Sequence, residues 1–216
     1  LINKSKSLFL ESENNKNIIY DSKIYPQSIF IVGMLRSGST LLESILSMNK
    51  AIYDMGEINI LEESYLEYKK EDKGLTMADI YWNKVVIHND KFNMITNKWL
   101  YNYQYAGIIA NSIPNAKIIH CFRNPLDNIL SIYRENFNRA NEYSSSIVDC
   151  AGVYLDQDDI MSKYKTRYRS FIYDLNYDLL VANPEDEIRS LVSWLGWEWD
   201  DSYLSSHKNS RLVLTA

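Results

Sequence analysis

Short apolar runs alternate along this chain with stretches in which apolar residues recur at helical spacing. The run Ser28 to Met34 (SIFIVGM) is rich in β-branched and aromatic residues, follows Pro26 and predicts a buried strand. A glycine turn comes next, and then a helix beginning near Ser39 or Thr40, with Leu41, Leu42, Ile45 and Leu46 on one apolar stripe. A second strand is predicted at Asn93 to Asn97 and a third at Lys117 to Phe122, each followed by helical periodicity. After the third strand Asn124 is a helix cap and Pro125 a favoured first helical residue, with Leu126, Ile129, Leu130 and Tyr133 predicted as the buried face. The signature recurs at Asn183-Pro184. There Glu185, Asp186 and Glu187 suit the positive end of the helix dipole, Ile188, Leu191, Val192 and Leu195 form the stripe, and Gly196 is the stop. Strands alternating with helices imply a parallel sheet with right-handed crossovers, and such sheets bind ligands beyond the carboxyl ends of their strands.

Composition narrows the possibilities. With 216 residues, 46% of them hydrophobic, the chain suits one α/β domain with a continuous core. Residues 1–27, rich in Asn, Lys and Ser, read as a polar lead-in rather than a domain, and residues 28–216 as the domain itself. A net charge of -5 argues against a nucleic-acid or anionic-membrane partner, so any anion site must be local. No apolar run approaches the roughly 20 residues of a spanning helix. Two cysteines, Cys121 and Cys150, make a disulfide framework improbable, which fits a reducing, cytoplasmic setting; position 1 is Leu, as in a fragment or processed chain. His88 and His207 lack partners at metal-ligand spacing, so no metal site is expected, and His120, inside the apolar run IIHCF, reads as a satisfied core histidine. The mixed segment from Glu62 to Asp72 reads as a solvated helix face or loop.

Candidate chemistry begins at GMLRSGST, Gly33 to Thr40, with strand before and helix after. The two glycines keep the spacing of the phosphate-binding loop G-x-x-x-x-G-K-[ST], but Ser39 stands where the lysine belongs. The backbone amide cradle survives while the metal-assisted grip on a triphosphate does not. Arg36 supplies a planar fork for phosphate or sulfate oxygens, and Ser37, Ser39 and Thr40, flanking Gly38, add hydroxyl donors. This combination points to a 5′-phosphate ligand held without Mg²⁺.

The run FIVGMLRSGSTLLESIL resembles the phosphosulfate-binding loop of sulfotransferases that use 3′-phosphoadenosine 5′-phosphosulfate (PAPS), particularly the tyrosylprotein and bacterial tetratricopeptide-linked branch. The usual form is close to P-R-S-G-T-T followed by L-L-E; here Leu35 replaces Pro and Ser39 the first Thr. KIIHCFRNPLDNILSIY resembles the family's 3′-phosphate site, which implies that Arg123 and Ser131 hold that phosphate. An arginine at a strand's carboxyl end sits on the ligand edge in any case, and Ser131 lies about two helical turns after the Asn124 cap. The resemblance further implies Glu57, in MGEIN, as general base, and Lys98, in TNKWLYN, as the group that stabilises the bridging oxygen as its bond to sulfur breaks. The segment from Ile172 to Ala216 resembles the family's C-terminal part, where Tyr177 matches a tyrosine that contacts the donor nucleotide; the family continues into a donor-covering loop.

The resemblance therefore implies a three-layer fold like that of the P-loop NTPases, with a central parallel sheet flanked by helices. It also implies transfer of a sulfuryl group from PAPS, with PAP as product and no metal, to a hydroxyl or amine. Two rival readings are a P-loop kinase or other NTPase, for which Asp174 in FIYDL is the nearest magnesium-binding acid, and a non-catalytic PAPS- or nucleotide-binding module. The acceptor is open among protein tyrosine, carbohydrate and small molecule, and the oligomeric state is not legible.

Overall fold

A computed structural model describes residues 1–14, 25–70, 74–88, 93–135, 137 and 139–208. Parts of the polar lead-in and of the Glu62 to Asp72 segment, the side chains of His88 and His207, and the final stretch to Ala216 lie outside the described residues. In chain order the elements are α1 (Ile2–Asn14), β1 (Gln27–Gly33), α2 (Ser39–Leu46), β2 (Ile52–Asp54), α3 (Ile60–Tyr68), α4 (Met77–His88) and β3 (Met94–Asn97). A 3₁₀ turn at Leu100–Tyr105 leads to α5 (Ala106–Ser112), β4 (Ala116–Phe122), α6 (Pro125–Arg134), α7 (Ile147–Tyr168), β5 (Ile172–Asn176), α8 (Tyr177–Ala182) and α9 (Pro184–Leu195).

The five strands form one parallel sheet in the order β2-β3-β1-β4-β5. Because β1 is central it is covered on both faces, which explains its nearly unbroken apolar run. Side chains alternate across a strand. Phe30 and Val32 accordingly join a core with α1, α3, α4, α5 and α7, while Ile29 and Ile31 join a second core with α2 and α9. The three-layer architecture is the P-loop NTPase-like one that the sequence predicts.

The strand predictions are met within a residue at either end, as β1, β3 and β4. Asn124 caps α6 as expected, its side chain accepting hydrogen bonds from the amides of Leu126 and Asp127. Pro184 opens α9, and Gly196 closes it in the left-handed conformation at φ 77°. The lead-in includes α1, whose Leu8, Ser5 and Ser12 are buried against the body of the protein.

The predicted buried face of α6 needs correction. Leu126, Leu130 and Tyr133 are exposed, Leu126 by 77%, and the helix buries Asn128 and Ile132 instead. The cause is a polar requirement. Asn128 Nδ2 donates to the Leu35 carbonyl at 2.9 Å, which holds the Asn128 and Ile132 face inward; of the expected stripe, Ile129 is half-buried against the cluster of Met34, Ile132, Cys150 and Val153, and the rest faces outward.

Candidate active site

The carboxyl ends of all five strands lie along one edge of the sheet, and the sheet order decides which residues meet there. β1, in the centre, delivers the loop from Met34 to Gly38; β3 and β2 deliver Lys98 and Glu57 on one side, and β4 and β5 deliver Arg123 and Tyr177 on the other.

The loop has a backbone few sequences tolerate. Arg36 has φ 62° and Gly38 φ 92°, both left-handed, and Gly38 gives way directly to Ser39, the first residue of α2. A Cβ on Gly38 would collide with the Tyr177 ring, and one on Gly33 with the Cys121 carbonyl, so glycine is required twice by close approach. Arg36 Nε donates to Ser131 Oγ at 3.3 Å, and Arg36 Nη1 lies 3.8 Å from a Glu135 carboxylate oxygen. Arg36 and Ser131, assigned from sequence to opposite ends of one ligand, therefore touch. Arg123 stacks its guanidinium 5.0 Å from the Tyr177 ring centroid, with Nη2 4.0 Å from Asp127. The Asn124 amide donates to Asp178 at 2.7 Å, tying the start of α6 to the start of α8.

Two buried donors on this side lack hydrogen-bond partners, Ser37 Oγ and Arg123 Nε. Folded proteins pair nearly all such groups, so these two fit a ligand carrying anionic oxygens. Ser39 is also buried and Thr40 half-buried at the amino end of α2, where free amides and the helix dipole favour an anion.

On the other side Lys98 is only 1% exposed, and its ammonium lies between two carboxylates. Glu43 Oε2, on α2, is 2.7 Å away, and Glu57 Oε1 is 3.3 Å away. The backbone holds these groups tightly. The Lys98 amide donates to the Gly56 carbonyl at 2.9 Å, and Asp54 Oδ1 accepts from the Gly56 amide and the Thr96 hydroxyl. Burial pushes the Glu43 carboxyl up to about 7; the Lys98 ammonium pulls it down, and nearby Asp54 raises it further. Glu43 lies within the LLE run, yet spacing gives it no role, because its significance depends on a lysine that folding brings opposite.

His120 lies in the core, as expected. Its Nδ1 donates to Asp174 at 3.2 Å and its Nε2 accepts from Gln157 at 2.6 Å, a tautomer assigned from this network. Burial lowers its pKa from the ordinary histidine value, against the opposing pull of Asp174. Asp174 is taken up by His120, Lys165 and Arg169; burial opposes its charge, but these partners together hold the carboxyl well below the ordinary range. Among the described residues no group of three or more His, Cys, Asp or Glu is arranged to hold a metal ion, and no helix is long and apolar enough to cross a membrane. A shallow surface cavity of about 300 Å³, lined by Arg189, Val192, Ser193, Trp197 and Trp199, shares no residue with the strand-end site.

Comparison with known proteins bears on the family and the fold. An uncharacterized protein of Aquifex aeolicus is 30% identical over 211 residues, a match covering 87% of this chain and 28% of that protein. Protein-tyrosine sulfotransferase 1 of Danio rerio is 22% identical over 194 residues, covering 82% of this chain and 55% of the relative. The chain thus spans about a quarter to a half of the length of these two relatives. Among solved structures, the sulfotransferase domain from the curacin biosynthetic pathway superposes with a TM-score of 0.65 at 16% identity, covering 89% of this chain and 82% of that one. A mouse sulfotransferase complexed with PAP superposes with a TM-score of 0.52 at 15% identity, covering 94% of this chain and 69% of the other. These structures share the fold. The model of the sulfotransferase family matches residues 59–201, about two thirds of the sequence, and the chain belongs to that family.

Proposed function

We propose that this chain moves a sulfuryl group from PAPS to an acceptor hydroxyl or amine by in-line displacement. The observation that carries the proposal is the division of the sheet edge. Arg36, Arg123 and the unpaired donors of Ser37 and Arg123 gather on the β1-β4-β5 side, and Lys98, its ammonium between two carboxylates but without an aligned hydrogen bond, occupies the β3-β2 side.

In this reading the Gly38 cradle, Ser37, Ser39, Thr40 and Arg36 hold the 5′-phosphosulfate, where backbone amides and a guanidinium suit tetrahedral anions. Arg123 and Ser131 hold the 3′-phosphate, and Tyr177 packs beside the nucleotide. The contact between Arg36 and Ser131 supports a compact donor whose two anionic groups converge on a single cationic wall. Glu57, the more exposed of the two carboxylates beside Lys98, takes the proton of the acceptor as its oxygen or nitrogen forms a bond to sulfur. The bond from sulfur to the bridging oxygen breaks, and the Lys98 ammonium stabilises the charge that develops on that oxygen, leaving PAP. None of these steps calls for a metal. The names of the tyrosine-sulfating relatives make a tyrosyl hydroxyl in a peptide the first acceptor to assay.

The test compares PAP, AMP and ATP by calorimetry and thermal shift, each with and without Mg²⁺. Saturation with a ligand at 100 times its Kd adds about 2.7 kcal/mol of stability, which a melting curve resolves. The proposal expects stabilisation by PAP, indifferent to Mg²⁺ and much stronger than that by AMP. Mg²⁺-dependent stabilisation by ATP would overturn it.

A further inference from the structure

Among the described residues Lys98 is the only buried lysine, and the only buried carboxylate is Glu43. The two are paired at 2.7 Å. A buried ammonium needs a counter-charge of fixed geometry, and Glu57 supplies it less well, being 30% exposed and 3.3 Å away. Glu43 also lies on the helix whose amino end forms the anion loop, four residues and one turn after Ser39. It therefore ties the lysine to the loop through one rigid element. Its second oxygen, Oε1, is buried without a hydrogen-bond partner, and the Lys98 ammonium likewise has none, so the 2.7 Å contact is a buried ion pair and not an aligned hydrogen bond. The charged groups facing it are Lys98, Asp54, which is itself held by Gly56 and Thr96, and, across the ammonium, Glu57.

We infer that Glu43 is a positioning residue that anchors the Lys98 ammonium from the buried side and so leaves Glu57 available to the acceptor. Without it Lys98 has only Glu57 to pair with, and the group proposed as base becomes the structural counter-ion. What Lys98 does in the reaction rests on the sulfuryl-transfer reading; how it is held does not.

The experiment uses the full chain with ¹⁵N-labelled lysine and no donor at low temperature and about pH 8, above the value of about 7 at which the Glu43 carboxyl gains its charge, where exposed lysine ammonium signals vanish through exchange with water. A protected ammonium signal, assigned by its loss in Lys98→Met, is expected in the unvaried protein. It should disappear in Glu43→Gln and survive in Glu57→Gln. Persistence of the signal in Glu43→Gln would overturn the inference.

A second arm measures PAP affinity and turnover of PAPS with a tyrosyl peptide. Glu43→Gln should keep the Kd for PAP within about twofold while kcat falls at least tenfold at unchanged KM for PAPS; a parallel loss of PAP affinity would mark a merely structural role and overturn the assignment. Failure of the unvaried protein to bind PAP would sink the donor reading, and the ammonium signal would then decide the inference alone. If Glu43→Gln does not fold, the Glu43→Gln/Lys98→Met pair decides. Recovery of folding shows that Glu43 is needed for the lysine, and continued failure overturns the proposal.

Discussion

Glu43 also has a thermodynamic consequence that needs no ligand. Its carboxyl, with an ordinary value of 4.5, is raised to about 7 chiefly by burial. A carboxyl whose folded-state pKa is raised keeps its proton in the folded protein after the unfolded chain has lost it. Stability from this group is therefore fully present below about pH 4.5, falls as pH rises, and is lost once pH passes about 7. Each step of one in pH within that window costs about 1.4 kcal/mol, so roughly 3 kcal/mol separates the two ends. Glu43→Gln keeps the shape and cannot titrate. The assay is urea unfolding of both proteins at intervals from pH 4.5 to 8. The stability of the parent relative to the variant should fall by about 3 kcal/mol across the window, or about 1 M in urea midpoint. Other titrating groups, His120 and Asp174 included, are present in both proteins and largely cancel in the difference. Parallel stability profiles would refute the reasoning and mean that Glu43 is as hydrated or as well paired in the fold as in the unfolded chain.

Other predictions address the remaining parts of the site and core. Arg123→Ala should abolish most of the preference for PAP over AMP in calorimetry, and an unchanged ratio would remove Arg123 from the 3′-phosphate. Gly38→Ala forces a Cβ into the Tyr177 ring at φ 92° and should cost about 1–3 kcal/mol in chemical denaturation along with PAP binding. Asp174→Asn should reduce acid destabilisation. The parent carboxyl lies below the ordinary value of 3.8, so the stability it contributes is present above that value and lost as pH falls, and unfolding curves from pH 5 to 2 should differ accordingly.

Much of the fold was legible in local chemistry. The loop GMLRSGST announces itself because two glycines at fixed spacing, a strand before and a helix after all serve one backbone shape, with Gly38 left-handed and Gly33 pressed on a neighbouring strand. Asn124 marks the start of α6 through side-chain bonds to amides two and three residues on, whereas at α9 Pro184 marks the start and Asn183 makes no side-chain cap bond. β2 escaped notice because three residues, Ile52–Asp54, are too short to show a period; its pairing with β3 makes it a strand. The face of α6 was misread because the Leu35 carbonyl that recruits Asn128 belongs to a loop 93 residues earlier. Glu43 failed to stand out for the same kind of reason. In the sequence it is an acid in an apolar helix, and only the crossover that sets β3 beside β1 brings Lys98 to it.

That crossover also separates binding from chemistry. With β1 central, residues after β4 and β5 reach only one flank of the loop, and residues after β3 and β2 only the other. Arg123 and Tyr177 stack on each other, while Lys98, Glu43 and Glu57 form a cluster of their own. Substitutions on the two flanks should therefore be nearly additive in their effects on PAP binding, since side chains without shared partners couple weakly. Within each flank they should not be. Combining Arg123→Ala with Glu43→Gln should give the product of the two single effects on PAP affinity, whereas Lys98→Met with Glu43→Gln should cost far less stability than the sum, because the second change removes a charge that the first has already left unpaired. Strong coupling across the flanks, or simple additivity within the Lys98 cluster, would mean that the loop does not divide the site in this way.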